Sequence, residues 1–329
     1  MAFSGSYDYT ETLTAANVIA LALRRLGVYD PNETIDSTEE ANALITLNLI
    51  LKEWSAAGAD VWSRGTFYLF LTGTTNNFYD TSSSTSYFVS ELGGAKLNAA
   101  AASGASTVDI DTSSLVSNTD LLFIELDDGT IEAHVANGNQ SSATVTLTST
   151  LGGAAASGNY LYQVTSSDRW QERFIDILNI NRVIQDGTNV NTAEGGQHSP
   201  MELIGQAEYS LLSKKLQTGQ PTSAYHERYP ISSRIYVWPS GASSDVHRIE
   251  MRTIVALQDL DATTDNIYVP AEGMNALSWQ LAAEMASEYG ISERESNRLW
   301  KVASIKLEDF LNSQVEDASF KFEQERRPV

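Results

Sequence analysis

Apolar side chains recur at three- and four-residue steps from the start of the chain, and that spacing predicts a helical hairpin over residues 12–62. In its first helix Leu13, Ala16, Ile19 or Ala20, Leu23 and Leu26 share one face. Gly27 follows, where a helix end needs a residue that tolerates the left-handed conformation. Ser37 and Glu40 have the spacing of a capping box and open the second helix. That helix carries two stripes, Leu44, Leu47, Leu51 and Trp54 on one side and Ile45 and Leu49 on another. A helix apolar on two sides is expected to be covered on two sides. Thr66–Leu71 then reads as a strand.

Between residues 87 and 164 the pattern changes to short runs separated by Ala, Gly, Ser and Thr. The runs are Thr107–Ile110, Leu121–Leu126, Thr130–Val135, Thr144–Leu147 and Tyr160–Val164. Asp127-Asp128-Gly129-Thr130 between two of them is a hairpin signal, since Asp-Gly supplies the positive φ angles of tight turns. Short strands at near-regular spacing predict a small barrel or sandwich, a separable insert whose ends meet near residues 80–86 and 165–169. Lys96 is its one basic residue against eight acidic ones.

Beyond the insert, Phe174–Ile184 fits a strand or a short helix, and periodicity does not choose. Ser199-Pro200-Met201-Glu202 reads as a helix start, and Tyr209–Leu216 as a further short helical piece. Strands are expected at Ser223–Tyr229, Arg234–Trp238 and Val246–Val255. Pro270 opens a helix with Met274, Leu277, Leu281, Met285 and Tyr289 on one face. Ser292 and Glu295 cap a last helix striped by Leu299, Val302, Ile305 and Phe310. The expected class is α+β: a mainly α-helical core with a small antiparallel sheet, plus an inserted all-β domain. The divisions are 1–86 and 165–314 for the core, 87–164 for the insert and 315–329 for an extended tail.

Composition narrows the function. The 329 residues carry 21 basic and 42 acidic side chains, a net charge of −21, which disfavours sequence-specific nucleic-acid binding. Zero cysteines exclude disulfides and thiolate metal sites. No signal peptide or membrane span is legible, so the expectation is a protein made in the cytoplasm with no membrane partner. His134, His198, His226 and His247 lie too far apart for a helical zinc motif. Asp259, Asp261 and Asp265 lack the glycine and glutamate of a calcium loop. Asp127 and Asp128 belong to a turn, and the Gly93-Gly94 and Gly152-Gly153 pairs lack the lysine of a phosphate loop. Neither a catalytic site nor a cofactor or metal site is expected. Tyr225, Tyr229, Tyr236 and Trp238 suit packing or an interface better than base stacking, because few bases interleave them. Arg24 and Arg25 close the first helix, where cations favour the dipole.

Several of these segments together resemble a family. Leu26-Gly27-Val28, Leu47-Asn48 and Trp54 come first, then Lys215, Gly219-Gln220-Pro221 and Tyr225 to Tyr229. Tyr236-Val237-Trp238-Pro239 follows, and Val269-Pro270-Ala271-Glu272 opens an Ala-rich helix running to Glu288-Tyr289-Gly290. That order resembles the tail accessory factors, the head-to-tail adaptors of short-tailed bacteriophages. The resemblance implies a structural virion protein of the head–tail junction, not an enzyme. Its partners would be a portal ring, a distal tail protein and its own copies in a ring of about twelve, around a channel passing double-stranded DNA. It implies that the C-terminal tail grips the portal; the tail here loses its helical period, and Phe320, Phe322, Arg326 and Arg327 are the residues expected to make that contact. The 87–164 insert departs from compact members of the family, and crowding would place it outside the ring. A receptor- or carbohydrate-binding tail protein and a cell-wall hydrolase of the virion are the alternatives.

Overall fold

The computed structural model describes residues 14–30, 32–56, 63–71, 78–83, 86–90, 93–111, 116–128, 130–138, 143–165, 172–184, 197–240 and 247–313. Helices are α1 (Ala15–Leu26), α2 (Ser37–Ala56), α3 (Gln206–Leu211), α4 (Ala271–Met285) and α5 (Glu293–Ser313). Strands run β1 (Arg64–Leu71), β2 (Phe78–Asp80), β3 (Tyr87–Val89), β4 (Gly93–Lys96), β5 (Thr107–Asp109), β6 (Leu121–Glu125), β7 (Ile131–Val135) and β8 (Thr144–Thr146). They continue as β9 (Tyr160–Val164), β10 (Phe174–Ile184), β11 (Gln197–Pro200), β12 (Glu202–Leu203), β13 (Ser223–Arg228), β14 (Ser233–Trp238) and β15 (His247–Val255). The expected mainly α-helical core is therefore overturned: among the described residues, fifteen strands in four sheets outweigh five helices. Two compact units divide the chain, residues 1–63 with 257–329, and residues 64–256.

The first unit holds the helices α1, α2, α4 and α5. Helix α4 is buried almost all round, with Ala276, Leu277, Leu281, Ala282 and Met285 in one core with Leu23, Leu47, Trp54, Leu299 and Phe310. Gly27 caps α1 at φ 74°. Asp36, and not Ser37, caps α2: its carboxylate accepts the Thr38 N–H at 2.8 Å, and that bond lowers its pKa. Asn48 holds Leu260 at both ends, donating to its carbonyl at 3.0 Å and accepting its N–H at 2.9 Å. Trp54 Nε1 donates to Gln280 Oε1 at 2.6 Å. The second stripe of α2 is not covered, for Ile45 is 61% and Leu49 63% exposed. Ile305 likewise leaves the expected α5 stripe and is 47% exposed.

The second unit is a stack of sheets. One sheet has the order β11-β10-β15-β1-β3, another β12-β13-β14-β2, a third β4-β9-β6-β7, and β5 pairs with β8. Side chains alternate across a strand, so β1 serves two cores. Phe67, Leu69 and Leu71 meet Ile235 and Val237 of the second sheet, while Tyr68 and Phe70 meet Phe123 and Tyr162 of the third. Strand β6 does the same one layer on: Leu121 and Phe123 face β1, and Leu122 and Ile124 face Val108 and Val145 of the β5–β8 pair. Strands buried on both faces show no polar alternation.

Phe174–Ile184 resolves as a strand with two bulges against β15. Ser199-Pro200-Met201-Glu202 starts no helix; Pro200 ends β11 at a sheet edge, where its missing N–H costs no ladder bond. Residues 93–164 form two of the sheets by themselves, and the pairing of Gly93 with Gln163 brings the two ends of that segment together. Separating the segment would nonetheless open a shared aromatic core, in which Phe70 stacks on Phe123 at 3.9 Å.

Candidate interaction surface

The most elaborate polar arrangement lies on the outer face of β2, β13 and β14. Antiparallel register sets Tyr225 beside Tyr236, Glu227 beside Arg234 and Ser223 beside Trp238. Strand β2 adds Phe78 beside Tyr236 and Asp80 beside Arg234. The intervening residues, Ala224, Ile235 and Val237, point the other way into the core. Helix α3 begins at Gly205, whose N–H donates to Glu208 Oε2 at 2.9 Å, and it lays Tyr209 across the sheet. Tyr209 lies 5.4 Å from Tyr225 and 4.8 Å from Tyr236, centroid to centroid, and Tyr225 stacks on Tyr236 at 5.5 Å.

Charged groups pin these rings. Glu227 Oε2 accepts the hydroxyls of Tyr229 at 2.8 Å and Tyr236 at 2.9 Å. Arg234 donates twice to Asp80 Oδ2, at 3.3 and 3.2 Å, and lies 4.7 Å from the centre of Phe78 and 5.0 Å from that of Tyr229. Lys215 sits 4.9 Å from the centre of Tyr209. Burial raises the pKa of Tyr209, Tyr225 and Tyr236, and the bond to Glu227 raises that of Tyr229. All four phenols therefore stay protonated donors at neutral pH. Arg234 is held more firmly charged, first by Tyr236 and then by Asp80. Burial pushes the Asp80 carboxyl up, but bonds from Ser82 and Arg234 outweigh it and the net shift is down. Around this face Leu211 and Ile231 are each 83% exposed, and Leu216 67%. Clustered tyrosines with an arginine packed against their rings have the composition of a protein-docking patch.

Tyr225, Tyr229, Tyr236 and Trp238, singled out in the sequence, are thus near one another, with Trp238 Nε1 donating to the Lys214 carbonyl at 3.0 Å. Glu227 and Arg234 were legible by strand alternation alone. Phe78 and Tyr209 were not, because strands and a helix distant in sequence deliver them.

The other candidates have local roles. His134 is buried between Ser149 Oγ at 2.9 Å and Glu132 Oε2 at 3.1 Å, while Glu132 also accepts the Gly152 N–H at 2.9 Å, so the cluster ties the turn after β8 to β7. His226 meets the fully buried Ser233 Oγ at 3.0 Å. His198 lies 3.7 Å from Glu250, and His247 begins β15. Asp127 and Asp128 serve the turn: Asp128 accepts from the Thr130 N–H and hydroxyl, Asp127 from the Ala156 N–H. Asp265 accepts the N–H groups of Asp261 and Ala262 and shapes its own loop. Arg25 reaches α4, with Nη1 donating to Ser278 Oγ and Nη2 to Asn275 Oδ1, and its guanidinium 4.4 Å from the Trp279 ring centre. Phe320, Phe322, Arg326 and Arg327 lie outside the described residues.

Among the described residues no helix is long and apolar enough to cross a membrane, and no group of three or more His, Asp or Glu could hold a metal. No protein-family model matches the chain, and no curated protein matches it.

Proposed function

We propose that this chain is a structural protein of a bacteriophage particle, a head-to-tail adaptor. It would form a ring of about twelve copies beneath the portal, extend the DNA channel and offer a platform to the distal tail protein. The carrying observation is the ordered set of residues from Leu26-Gly27-Val28 to Glu288-Tyr289-Gly290 that resembles the tail accessory factors. The positions of four of them support the reading, because each holds a joint of the fold: Gly27 turns the chain out of α1, Asn48 pins Leu260, Trp54 ties α2 to α4, and Pro270 caps α4.

Two further features agree with it. Large apolar side chains stay uncovered at Ile45, Leu49, Leu211, Leu216 and Ile231, as in a subunit whose neighbours are missing. A net charge of −21 per chain suits a channel that must let duplex DNA slide, since a basic lumen would hold its phosphates. The reading assigns no catalysis and no cofactor, and a location at the head–tail junction of the virion.

The test is attachment to the portal ring of the same particle, followed by electron microscopy and sedimentation. The full chain is expected to add a second ring below the portal. Truncation after Ser313, which removes Phe320, Phe322, Arg326 and Arg327, is expected to leave circular dichroism unchanged and to abolish attachment. A full chain that leaves the portal bare would sink the adaptor reading. Attachment by the truncated chain would sink only the assignment of the tail.

A further inference from the structure

We infer that copies of this chain join through two different helical faces, the α5 face of one copy seated on the α2 face of the next. This rests on the ring reading and deepens it by naming the contact. On α2, Ile45 and Leu49 form an exposed apolar pair one turn apart, 61% and 63% accessible. Toward the C-terminal end of α2 that face becomes acidic, with exposed Glu53 on the helix and exposed Asp259 and Asp261 on the neighbouring loop. Lys52 is a base on this face and is held by Asp259 at 2.8 Å. Beside it opens a pocket of about 210 Å³ lined by Leu51, Leu257, Asp259, Asp261 and Tyr268, with Tyr268 68% exposed. An acidic rim and an aromatic wall are what a basic side chain needs.

The matching face is on α5. Arg294, Arg298, Lys301 and Ile305 are all exposed, and steps of four, three and four residues put them on one stripe. Arg298 bonds Glu295 on its own helix, an exposed pair that costs little to exchange. Laid antiparallel, Ile305 meets Ile45 and Leu49, and Lys301 and Arg298 reach Glu53, Asp259 and the pocket. The stripe turns acidic only past Ile305, at Glu308 and Asp309, which then lie over the uncharged Ala41 and Asn42. Apolar meets apolar and basic meets acidic in one orientation. Because the two faces differ, the contact is head-to-tail, the kind that closes rings.

The chain has no cysteine, which makes the test direct. Leu49→Cys and Ile305→Cys are made singly and together in the full chain, and each is oxidised mildly with the portal ring present. The double variant is expected to give a ladder of covalent oligomers on a non-reducing gel, and each single variant only monomer. Covalent dimers from Leu49→Cys alone would overturn the proposal, since the same face would then meet itself. Arg298→Glu with Lys301→Glu, checked for unchanged circular dichroism, is expected to reduce ring formation at least tenfold. Rings that survive this reversal, with no ladder from the double variant, would overturn the contact and leave the ring reading standing. A wild-type chain that stays monomeric by light scattering beside the portal would remove both.

Discussion

His226 shows how one half-buried side chain ties stability to pH. Burial is the main cause that pulls its pKa down to about 4 from 6.5, with Arg228 next, Arg173 in the same direction and Asp176 opposing. In the fold the ring is therefore neutral at neutral pH and bonded to Ser233 Oγ. The unfolded chain takes up that proton near pH 6.5. Between about pH 6.5 and 4 the unfolded state binds more protons, so stability falls as pH falls through that window. The loss reaches about 3 kcal/mol at its lower end, since each tenfold change in proton affinity is worth roughly 1.4 kcal/mol. Urea midpoints measured from pH 7 to pH 4 should drop more steeply for the wild type than for His226→Gln. Parallel curves would show that His226 is not the group responsible.

At the scale of elements, α4 packs tightly on α5 at Gly273. A Cβ on Gly273 would lie 2.8 Å from Phe310 Cζ and 2.8 Å from Val269 Cγ1. Phe310 cannot swing aside, being buried and 5.6 Å from Trp54, centroid to centroid. Alanine elsewhere in a helix is a gain over glycine; here overpacking reverses the sign. Gly273→Ala should lower stability by about 1–3 kcal/mol in urea titration. A stabilised variant would mean that α5 stands farther off than the geometry gives. The same helices show where element-level reading stops. Periodicity placed Leu47 and Trp54 inward correctly, yet it put Ile45, Leu49 and Ile305 under cover that this chain alone does not provide.

For the whole molecule, the layered stack decides what can be removed. Residues 93–164 change composition abruptly and return to their starting point, which invites excision. Yet Tyr68, Phe70 and Val89 share a core with Leu121, Phe123, Tyr160 and Tyr162. Replacing 93–164 by a Gly-Ser linker would bare that side of β1, and a buried aromatic contributes about 1.5–3 kcal/mol. The shortened chain is expected to unfold at a lower temperature than the full chain and to bind a hydrophobic dye. Unchanged melting and no dye binding would show that the segment is an independent domain.

The sequence by itself determined the local elements. Helix faces, the Gly27 stop, the Asp127-Asp128 turn and the short strands of residues 107–164 follow from periodicity and turn chemistry, which act over a few residues. It also supplied the tyrosines of the docking face and the residue order that suggests an adaptor. Only the tertiary structure decided how these parts combine. Strand β1 pairs with β15 from Arg64↔Ile254 to Leu71↔His247, a register across nearly two hundred residues that no local pattern announces. Two bulges in β10 set its buried residues Phe174, Ile177 and Ile180 three apart, and Phe174–Ile184 read equally as helix for that reason. Pro200 looked like a helix start because proline suits that place, but it suits a sheet edge equally well, and which one it takes depends on the partner strand. Tyr209 and Phe78 reach the tyrosine face from elements far apart along the chain, because a surface is a property of packing and not of sequence neighbourhood.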